Sequence, residues 1–298
     1  MRHPVVAGVD GSPQSIAAAQ WAAREAVRCG LPLLLVHAWR ALPSMPGGPG
    51  VEPPPDDSHS VLAIARSAVR AEYPDLSIDT RELTFATPDG LVNASKEAEL
   101  MVLGSRGLGG FAGLLLGSTG LDTAARSHCP VVLVRAGEGP ADEYQRIDGD
   151  PVGALQPRPV VLGLDALHPS EALLDFALRT ADRRGAALRV VYAWNLPSRM
   201  SVTPVRMGPS GHDQLQEQRT RTLNEALRGW DQKFPTVDIR PAVRFGSAAA
   251  VLVEEAGHAA LVVVGRRATR PAMAMRLGPA AHAVMHHAVA PVAVVPHT

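Results

Sequence analysis

The chain is poor in several residue types on which common protein functions depend. Its 298 residues include only two cysteines, Cys29 and Cys129, which are too few for a disulfide scaffold and typical of reduced thiols in a cytosolic protein. Aromatic residues make up only 4%, which argues against a surface that stacks single-stranded nucleic acid. Basic and acidic residues number 29 each, so no net field draws the chain to nucleic acid or to an anionic membrane.

Long apolar runs are also missing. No stretch reaches the roughly 18 unbroken apolar residues that a membrane-spanning helix needs. The opening MRHPVVAGVDGS has no apolar run of signal-peptide length. We therefore expect a cytoplasmic protein with neither a membrane nor a nucleic-acid partner. The 46% of hydrophobic residues is nevertheless enough to fill the cores of two domains.

The sequence contains an internal duplication. Residues 5–39, VVAGVDGSPQSIAAAQWAAREAVRCGLPLLLVHAW, align without a gap with residues 160–194, VVLGLDALHPSEALLDFALRTADRRGAALRVVYAW. Several positions hold the same residue in both copies: Gly8 and Gly163, Asp10 and Asp165, Ser15 and Ser170, Gly30 and Gly185. The period is far longer than that of a solenoid repeat, so we interpret the duplication as two whole domains.

Each copy alternates short β-branched runs with amphipathic segments. This pattern predicts an α/β fold with two tandem, five-stranded, doubly wound parallel sheets. We place the first domain at 1–137, a Gly-, Pro- and acid-rich linker at 138–157 and the second domain at 158–298. Pro- and Gly-rich loops at 40–59 and 195–213 follow the second strand of each copy. Ligands of such sheets bind at the carboxyl ends of the strands, where the strand order reverses.

A glycine-rich stretch at 102–119, VLGSRGLGGFAGLLLGST, invites comparison with known phosphate-binding loops. A P-loop requires a lysine directly after its last glycine, and neither Lys96 nor Lys233, the two lysines of the chain, occupies such a position. Gly107, Gly109 and Ala112 match a dinucleotide fingerprint, but they follow a late strand and no strand-ending acid lies about 20 residues further on.

A third pattern, Gly104-x2-Gly107-x9-Gly117-Ser118, lies between the predicted fourth strand and the next helix. We expect Gly104 to end the strand, Gly107 to turn the chain, and Gly117 to bring bare backbone to the helix N-terminus. Ser118 is the predicted N-cap. Free amides and the helix dipole then form a phosphate site without a lysine, and Arg106 can neutralise phosphate charge.

This glycine element, the opening VVAGVDGS and the strand CPVVLVRA together resemble the ATP-binding subgroup of the universal stress protein family, in its tandem two-domain form. The resemblance covers nearly the whole chain. It implies adenine nucleotide alpha hydrolase-like, Rossmann-like domains that form a pseudo-dimer through their last strands. It also implies ATP as the ligand, with Mg²⁺ as an optional companion, and a regulatory role in the stress response through an unknown protein partner. Whether two chains form a homodimer stays open.

The resemblance also implies individual ligand contacts. The acid after the first strand, Asp10, would contact the nucleoside side of the nucleotide, and backbone near Ala38 would meet the adenine. From the residues alone, Asp10 could be a general base or a strand-end carboxylate that caps the following turn, and we favour the binding role that the resemblance implies. The predicted binding residues of the first copy are Gly8, Asp10, Ala38, Gly104, Arg106, Gly107, Gly109, Gly110, Gly117, Ser118 and Thr119.

The second copy departs from the pattern, because its loop reads Gly265-x2-Ala268-x9-Gly278-Pro279. Ala268 replaces the turning glycine, and Pro279 has neither an amide hydrogen nor a hydroxyl group. We therefore predict that the second site binds ATP weakly or not at all. Its remaining candidate residues are Gly163, Asp165, Gly265, Arg266 and Gly278.

Catalytic and metal sites are not expected. His282-x3-His286 has the spacing of helical metal ligands, but no third ligand accompanies the pair. A slow ATPase or a nucleotidyl-transfer enzyme on the same site is the alternative to a binding protein. Because no acid lies in the loop between Gly104 and Gly120 to act near the γ-phosphate, we favour binding over hydrolysis.

Overall fold

The computed structural model of the protein describes residues 3–38, 57–83, 87–105, 116–146, 154–195, 209–268 and 277–298. The chain divides into two compact units. Unit 1 takes its residues from 1–142, 266–277 and 291–296, and unit 2 from 143–265, 278–290 and 297–298. Among the described residues, no helix is long and apolar enough to cross a membrane.

Unit 1 contains five parallel strands: β1 (Val5–Gly8), β2 (Leu33–Ala38), β3 (Ile78–Leu83), β4 (Leu100–Gly104) and β5 (Val131–Val134). Their order is β5-β4-β1-β2-β3. The three inner strands β4, β1 and β2 and the neighbouring β5 are almost wholly buried, as expected for parallel strands covered by helices on both faces. The predicted parallel α/β fold is thereby confirmed.

The helices of unit 1 are α1 (Pro13–Cys29), α2 (Asp57–Glu72), α3 (Asp89–Ala94) and α4 (Ser118–Arg126). The first of them begins and ends at the predicted signals. The Ser12 hydroxyl oxygen accepts a hydrogen bond from the amide of Ser15, which caps the N-terminus. Gly30 ends the helix with a φ of 61°, a left-handed conformation that glycine adopts without strain.

Unit 2 repeats this order of elements. Four parallel strands lie in the order β10-β9-β8-β11, namely β8 (Val160–Gly163), β9 (Leu188–Trp194), β10 (Ile239–Phe245) and β11 (Leu261–Arg267). Its helices are α5 (Glu171–Arg184), α6 (Pro209–Ala226), α7 (Trp230–Lys233), α8 (Ala248–Glu255) and α9 (Pro279–His287). The last two residues of β11 group with unit 1.

The final strand of the chain, β12 (Val292–His297), lies almost entirely in unit 1. It pairs antiparallel with β5, with Val292 opposite Leu133 and Val294 opposite Val131. The side chains on both strands are buried. The last strand of the chain thus belongs to the sheet of unit 1, and the predicted pseudo-dimer of the two copies stays a prediction.

The segment predicted as a linker is more ordered than its composition suggests. A short 3-10 turn at Pro140–Glu143 leads into β6 (Tyr144–Arg146), which pairs antiparallel with β7 (Leu155–Pro157). The second Pro- and Gly-rich loop is also shorter than predicted, because α6 already begins at Pro209. Proline is well tolerated at the first position of a helix, where no intrahelical hydrogen bond requires its amide. A proline-rich composition therefore overestimates the length of this loop.

The thiol of Cys129 lies just before β5 in the buried core of unit 1. Desolvation raises the pKa of this thiol to about 12. At pH 8 only about 10⁻⁴ of the thiol is therefore ionised. Because the thiolate is the reactive species, Cys129 should react slowly in the folded protein.

We expect Cys129 in a Cys29→Ala variant to resist a thiol-specific reagent at pH 8 until the protein is unfolded. The measurement compares labelling rates in buffer and in denaturant. Cys129→Ala, in which Cys29 is the sole thiol, is the matched control. Rapid labelling of native Cys129 would contradict its burial.

Candidate nucleotide site

The order of strands in unit 1 creates a crevice beside β1. The chain passes from β1 to β2 on one side, and β4 lies on the other side of β1. Helices that follow the two strands leave in opposite directions at such a reversal, which opens a crevice at the carboxyl edge of the sheet. Asp10, Ala38 and Gly104 all lie at or just after carboxyl strand ends on this edge. The structure thus brings the described candidate residues to one edge.

The N-terminus of α4 lies beside the end of β4. A Cβ atom built on Gly120 would stand 3.8 Å from the carbonyl oxygen of Gly104. The amide of Gly117 donates to the carbonyl of Ser105 at 2.8 Å, and Leu121 donates to the carbonyl of Gly117 at 3.1 Å. Within the described residues, the amides of the intervening Ser118, Thr119 and Gly120 have no hydrogen-bond partner.

The predicted N-cap at Ser118 is wrong by one residue. Gly117 is the N-cap, with a φ of −75° and a ψ of 148°, and no side chain caps the helix. Ser118 is already the first helical residue, so its amide, rather than its hydroxyl, is the group that helix geometry leaves unpaired. The amide of Gly117 itself is used by Ser105, which moves the available donors one position along the chain.

The C-terminal end of α4 carries an arginine with two carboxylate partners. Arg126 donates to Asp122 at 2.7 Å and also pairs with Asp89 at the start of α3. These hydrogen bonds raise the pKa of the Arg126 guanidinium above its usual value. A cation in the last turn also complements the helix dipole, and the positive N-terminal end of α4 lies at the carboxyl edge of the sheet.

Asp10 shapes the turn that leads into α1. One of its carboxylate oxygens accepts hydrogen bonds from both the amide and the hydroxyl of Ser12, at 3.0 and 2.6 Å. Its own amide donates to the hydroxyl of Ser15 at 3.2 Å. Gly11 has a φ of 83°, in the left-handed region that favours glycine. The turn-capping interpretation is therefore correct for Asp10, and its role toward a nucleotide stays a prediction.

Several predicted binding glycines have a packing reason of their own. A Cβ on Gly104 would lie 2.9 Å from the backbone carbon of Gln14, in the first turn of α1. A Cβ on Gly8 would lie 2.5 Å from a Leu103 methyl group. At Gly104 the neighbour is backbone, so this glycine is needed for close packing whatever binds above it, whereas the Leu103 methyl group beside Gly8 lies at the end of a side chain that can move.

The corresponding glycines of unit 2 also lie close to neighbouring side chains. A Cβ on Gly163 would meet a Leu252 methyl group at 2.6 Å, and one on Gly265 would meet the imidazole of His297 at 2.7 Å. Gly278 differs, because no atom of the described residues lies within 4 Å of a Cβ built there and its φ is an ordinary −71°. Neither packing nor backbone conformation explains this glycine.

The helix N-terminus of unit 2 offers fewer backbone amides than that of unit 1. Gly278 caps α9, and Pro279 takes the place of the first amide donor. Arg266, a predicted source of positive charge, is only 5% exposed, and its guanidinium donates to the carbonyl of Ser127 at 2.5 Å. The Arg266 guanidinium therefore lies in the protein interior, bonded to backbone. Asp165 accepts from Leu167 and pairs with His168 at 3.1 Å.

Four predicted residues lie outside the described part of the chain. They are Arg106, Gly107, Gly109 and Gly110. Their roles stay predictions, and the described site consists of the strand ends and the first turn of α4.

Both copies of the duplicated sequence match one known protein family. The model of the universal stress protein family matches residues 1–135 and 157–296. The chain belongs to this family. Universal stress proteins of Mycobacterium bovis and Mycobacterium tuberculosis are 34% identical over 303 residues, covering 98% of this chain and 97% of each relative. A solved universal stress protein of Archaeoglobus fulgidus shares the fold, with a TM-score of 0.65 at 15% identity over 99% of this chain and 96% of that one.

Sequence reasoning missed one polar residue at the edge of this universal stress protein. His37 is the penultimate residue of β2, and its Nδ1 lies 2.7 Å from the carbonyl oxygen of Val9. A single polar side chain in the otherwise apolar strand LLLVHA is the signal that could have identified it.

The close approach at Gly104 generates a stability prediction. We expect Gly104→Ala to lower the free energy of unfolding by about 1–3 kcal/mol, because the new methyl group meets backbone that cannot rotate away. Gly257→Ala is the matched control, because no atom of the described residues lies within 4 Å of a Cβ built there and Gly257 is not a helix N-cap, and it should change the free energy of unfolding by less than about 0.5 kcal/mol. Chemical denaturation measures both. Equal stability of the two variants would contradict the packing role of Gly104.

Proposed function

We propose that unit 1 binds ATP at the carboxyl edge of its sheet, and that the protein is a nucleotide-dependent regulator in the stress response. The observation that carries the proposal is the row of unpaired amides at Ser118, Thr119 and Gly120, beside the strand reversal at β1. Three amides that point out of a helix N-terminus form a site for a phosphate group.

The site requires no lysine for the phosphates. The dipole of α4 places about half a positive charge at its N-terminus, and the amides supply directed hydrogen bonds. At the other end of the helix, Arg126 pairs with Asp89 of α3 and with Asp122 of α4, and the short Ser105–Gly117 backbone bond ties the start of the helix to the end of β4. Such a preorganised site loses little conformational entropy when the ligand binds.

The nucleoside would lie across β1 and β2. In this proposal Asp10 contacts the nucleoside side, and the backbone at Ala38 meets the adenine. The carbonyl of Ala38 accepts a hydrogen bond from the Thr87 hydroxyl at 3.3 Å, which supports the backbone at this point. The bonds that hold Asp10 to Ser12 and Ser15 likewise support its position.

We further propose that the protein is a binding protein and not an enzyme. Among the described residues, no group of three or more His, Cys, Asp or Glu side chains could hold a metal ion. Mg²⁺ that accompanies ATP would take most of its ligands from phosphate oxygens and water, since it usually binds only one or two carboxylates of a protein. Bound nucleotide would favour one of several conformations and so change the surface offered to a protein partner.

Unit 2 is proposed to bind ATP more weakly. Pro279 removes one donor of the corresponding helix, which leaves Ala280 and Ala281 as its unpaired amide positions. The loss of one hydrogen bond to a charged group corresponds to roughly 1.5–3 kcal/mol, or a factor of about 10 to 150 in affinity.

We expect calorimetric titration of the full chain with ATP to show one tight site. Gly117→Val should abolish this site, because its branched side chain stands where the phosphate approaches the helix. Gly278→Val, at the equivalent position of unit 2, is the control and should leave the tight site unchanged. Two equal sites in the wild type, or full affinity of Gly117→Val with a native circular dichroism spectrum, would contradict the proposal.

Hydrolysis separates the binding protein from the alternative enzyme. We expect purified protein with ATP and Mg²⁺ to complete fewer than about one turnover per minute, since typical enzymes turn over at 1–1000 per second. Phosphate release is the measurement. Multiple turnovers per minute that disappear in Asp10→Asn would instead establish an ATPase.

A further inference from the structure

The side chain of His37 joins the carboxyl ends of β1 and β2. The backbone pairing of these strands ends at Gly8 opposite Val36. One residue later, the amide of Val9 donates to the carbonyl of Val36 at 2.8 Å, and the carbonyl of Val9 lies 2.7 Å from His37 Nδ1. Because a carbonyl oxygen can only accept, Nδ1 must carry the hydrogen in either charge state of the ring.

This bond controls the residue before Asp10. Val9 is bonded to β2 through both its amide and its carbonyl group, so the peptide plane that leads into Asp10 has a fixed orientation. Asp10 then starts the turn that Ser12 and Ser15 complete. The imidazole is therefore the contact that ties the direction of this turn to β2.

His37 also precedes Ala38 in the chain. The proposed site uses Asp10 for the nucleoside side and the Ala38 backbone for the adenine. A single imidazole thus connects the two strand ends that would carry these contacts, one through the chain and one through a hydrogen bond of 2.7 Å. This bond therefore lies between the two strand ends of the proposed site.

The second copy lacks this imidazole. Tyr192 occupies the equivalent position in β9, and its hydroxyl lies 3.5 Å from the Arg219 guanidinium, which donates to it. The amide of Leu164 still donates to the carbonyl of Val191 at 3.0 Å, as Val9 does to Val36. The histidine thus occurs in the copy whose phosphate loop is intact.

We propose that His37 is a positioning residue for nucleotide binding in unit 1: its Nδ1–H holds the end of β1 so that Asp10 and Ala38 keep the separation that one nucleoside requires. This inference rests on the proposed binding of ATP. It assigns to His37 no contact with the ligand.

Two isosteric variants separate this role from general packing. Asparagine can place an N–H group where His Nδ1 stands, whereas glutamine reaches the position of Nε2. We expect His37→Asn to retain ATP affinity within about twofold, and His37→Gln and His37→Leu to lose at least fivefold, which is the loss expected for one hydrogen bond of about 1 kcal/mol. Tyr192→Phe is the control in unit 2 and should leave the affinity unchanged.

The experiment is calorimetric titration of each full-length variant with ATP, together with its thermal unfolding midpoint. If His37→Leu fails to fold, His37→Gln against His37→Asn carries the comparison. Equal ATP affinity of the wild type and of the Asn and Gln variants would overturn the proposed role of His37 and leave the proposed ATP site standing. Equal loss in the Asn and Gln variants would overturn the assignment to Nδ1. A wild-type chain that does not bind ATP would overturn the proposed function and this inference together.

Discussion

The polarity of a parallel sheet is the constraint on which the rest of unit 1 depends. The strands β1 to β5 point the same way, so their carboxyl ends share one edge, and the reversal of strand order at β1 separates the helices there. Buried apolar strands fix this arrangement, since each fully buried Val or Leu side chain contributes about 1.5–3 kcal/mol. The unpaired amides of α4 lie on that edge as a consequence of the topology.

The two copies share a fold but present different groups at the carboxyl edge of their sheets. Both preserve strand order, a serine N-cap on the first helix and a glycine that ends it. They differ where a ligand would meet backbone. In unit 1, Ser12 caps α1 and binds Asp10, while in unit 2 the cap has moved to Ser170 and Asp165 is paired with His168. Such changes leave the core intact and alter only the edge.

Much of the fold follows from local sequence patterns, because strands buried on both faces and capped helices have strong signals. The strands of unit 1, the start of α1 at Ser12 and its end at Gly30 all follow from these patterns. The hairpin of β6 and β7 does not, since its stability comes from pairing across 138–157 and not from composition. Family membership likewise follows from the combination of motifs at three separated places.

The details of the site are harder to derive, because they depend on which groups the fold has already used. A glycine pattern cannot tell that the Gly117 amide is bonded to Ser105, or that Gly104 is small because Gln14 lies against it. The shift of the N-cap from Ser118 to Gly117 has the same origin. The bond between His37 and Val9 joins residues 28 positions apart, and only tertiary structure reveals it.

The most direct test of the account is the amide spectrum of the isotopically labelled full-length protein during titration with ATP. The chemical shift of a backbone amide reports its hydrogen bonding, and the proposed phosphate site uses the amides of Ser118, Thr119 and Gly120. It predicts large, saturable chemical-shift changes at Ser118, Thr119 and Gly120 at nucleotide concentrations that leave Ala280 and Ala281 unchanged. Shifts that are absent from the first turn of α4, while ATP binds elsewhere or not at all, would contradict it.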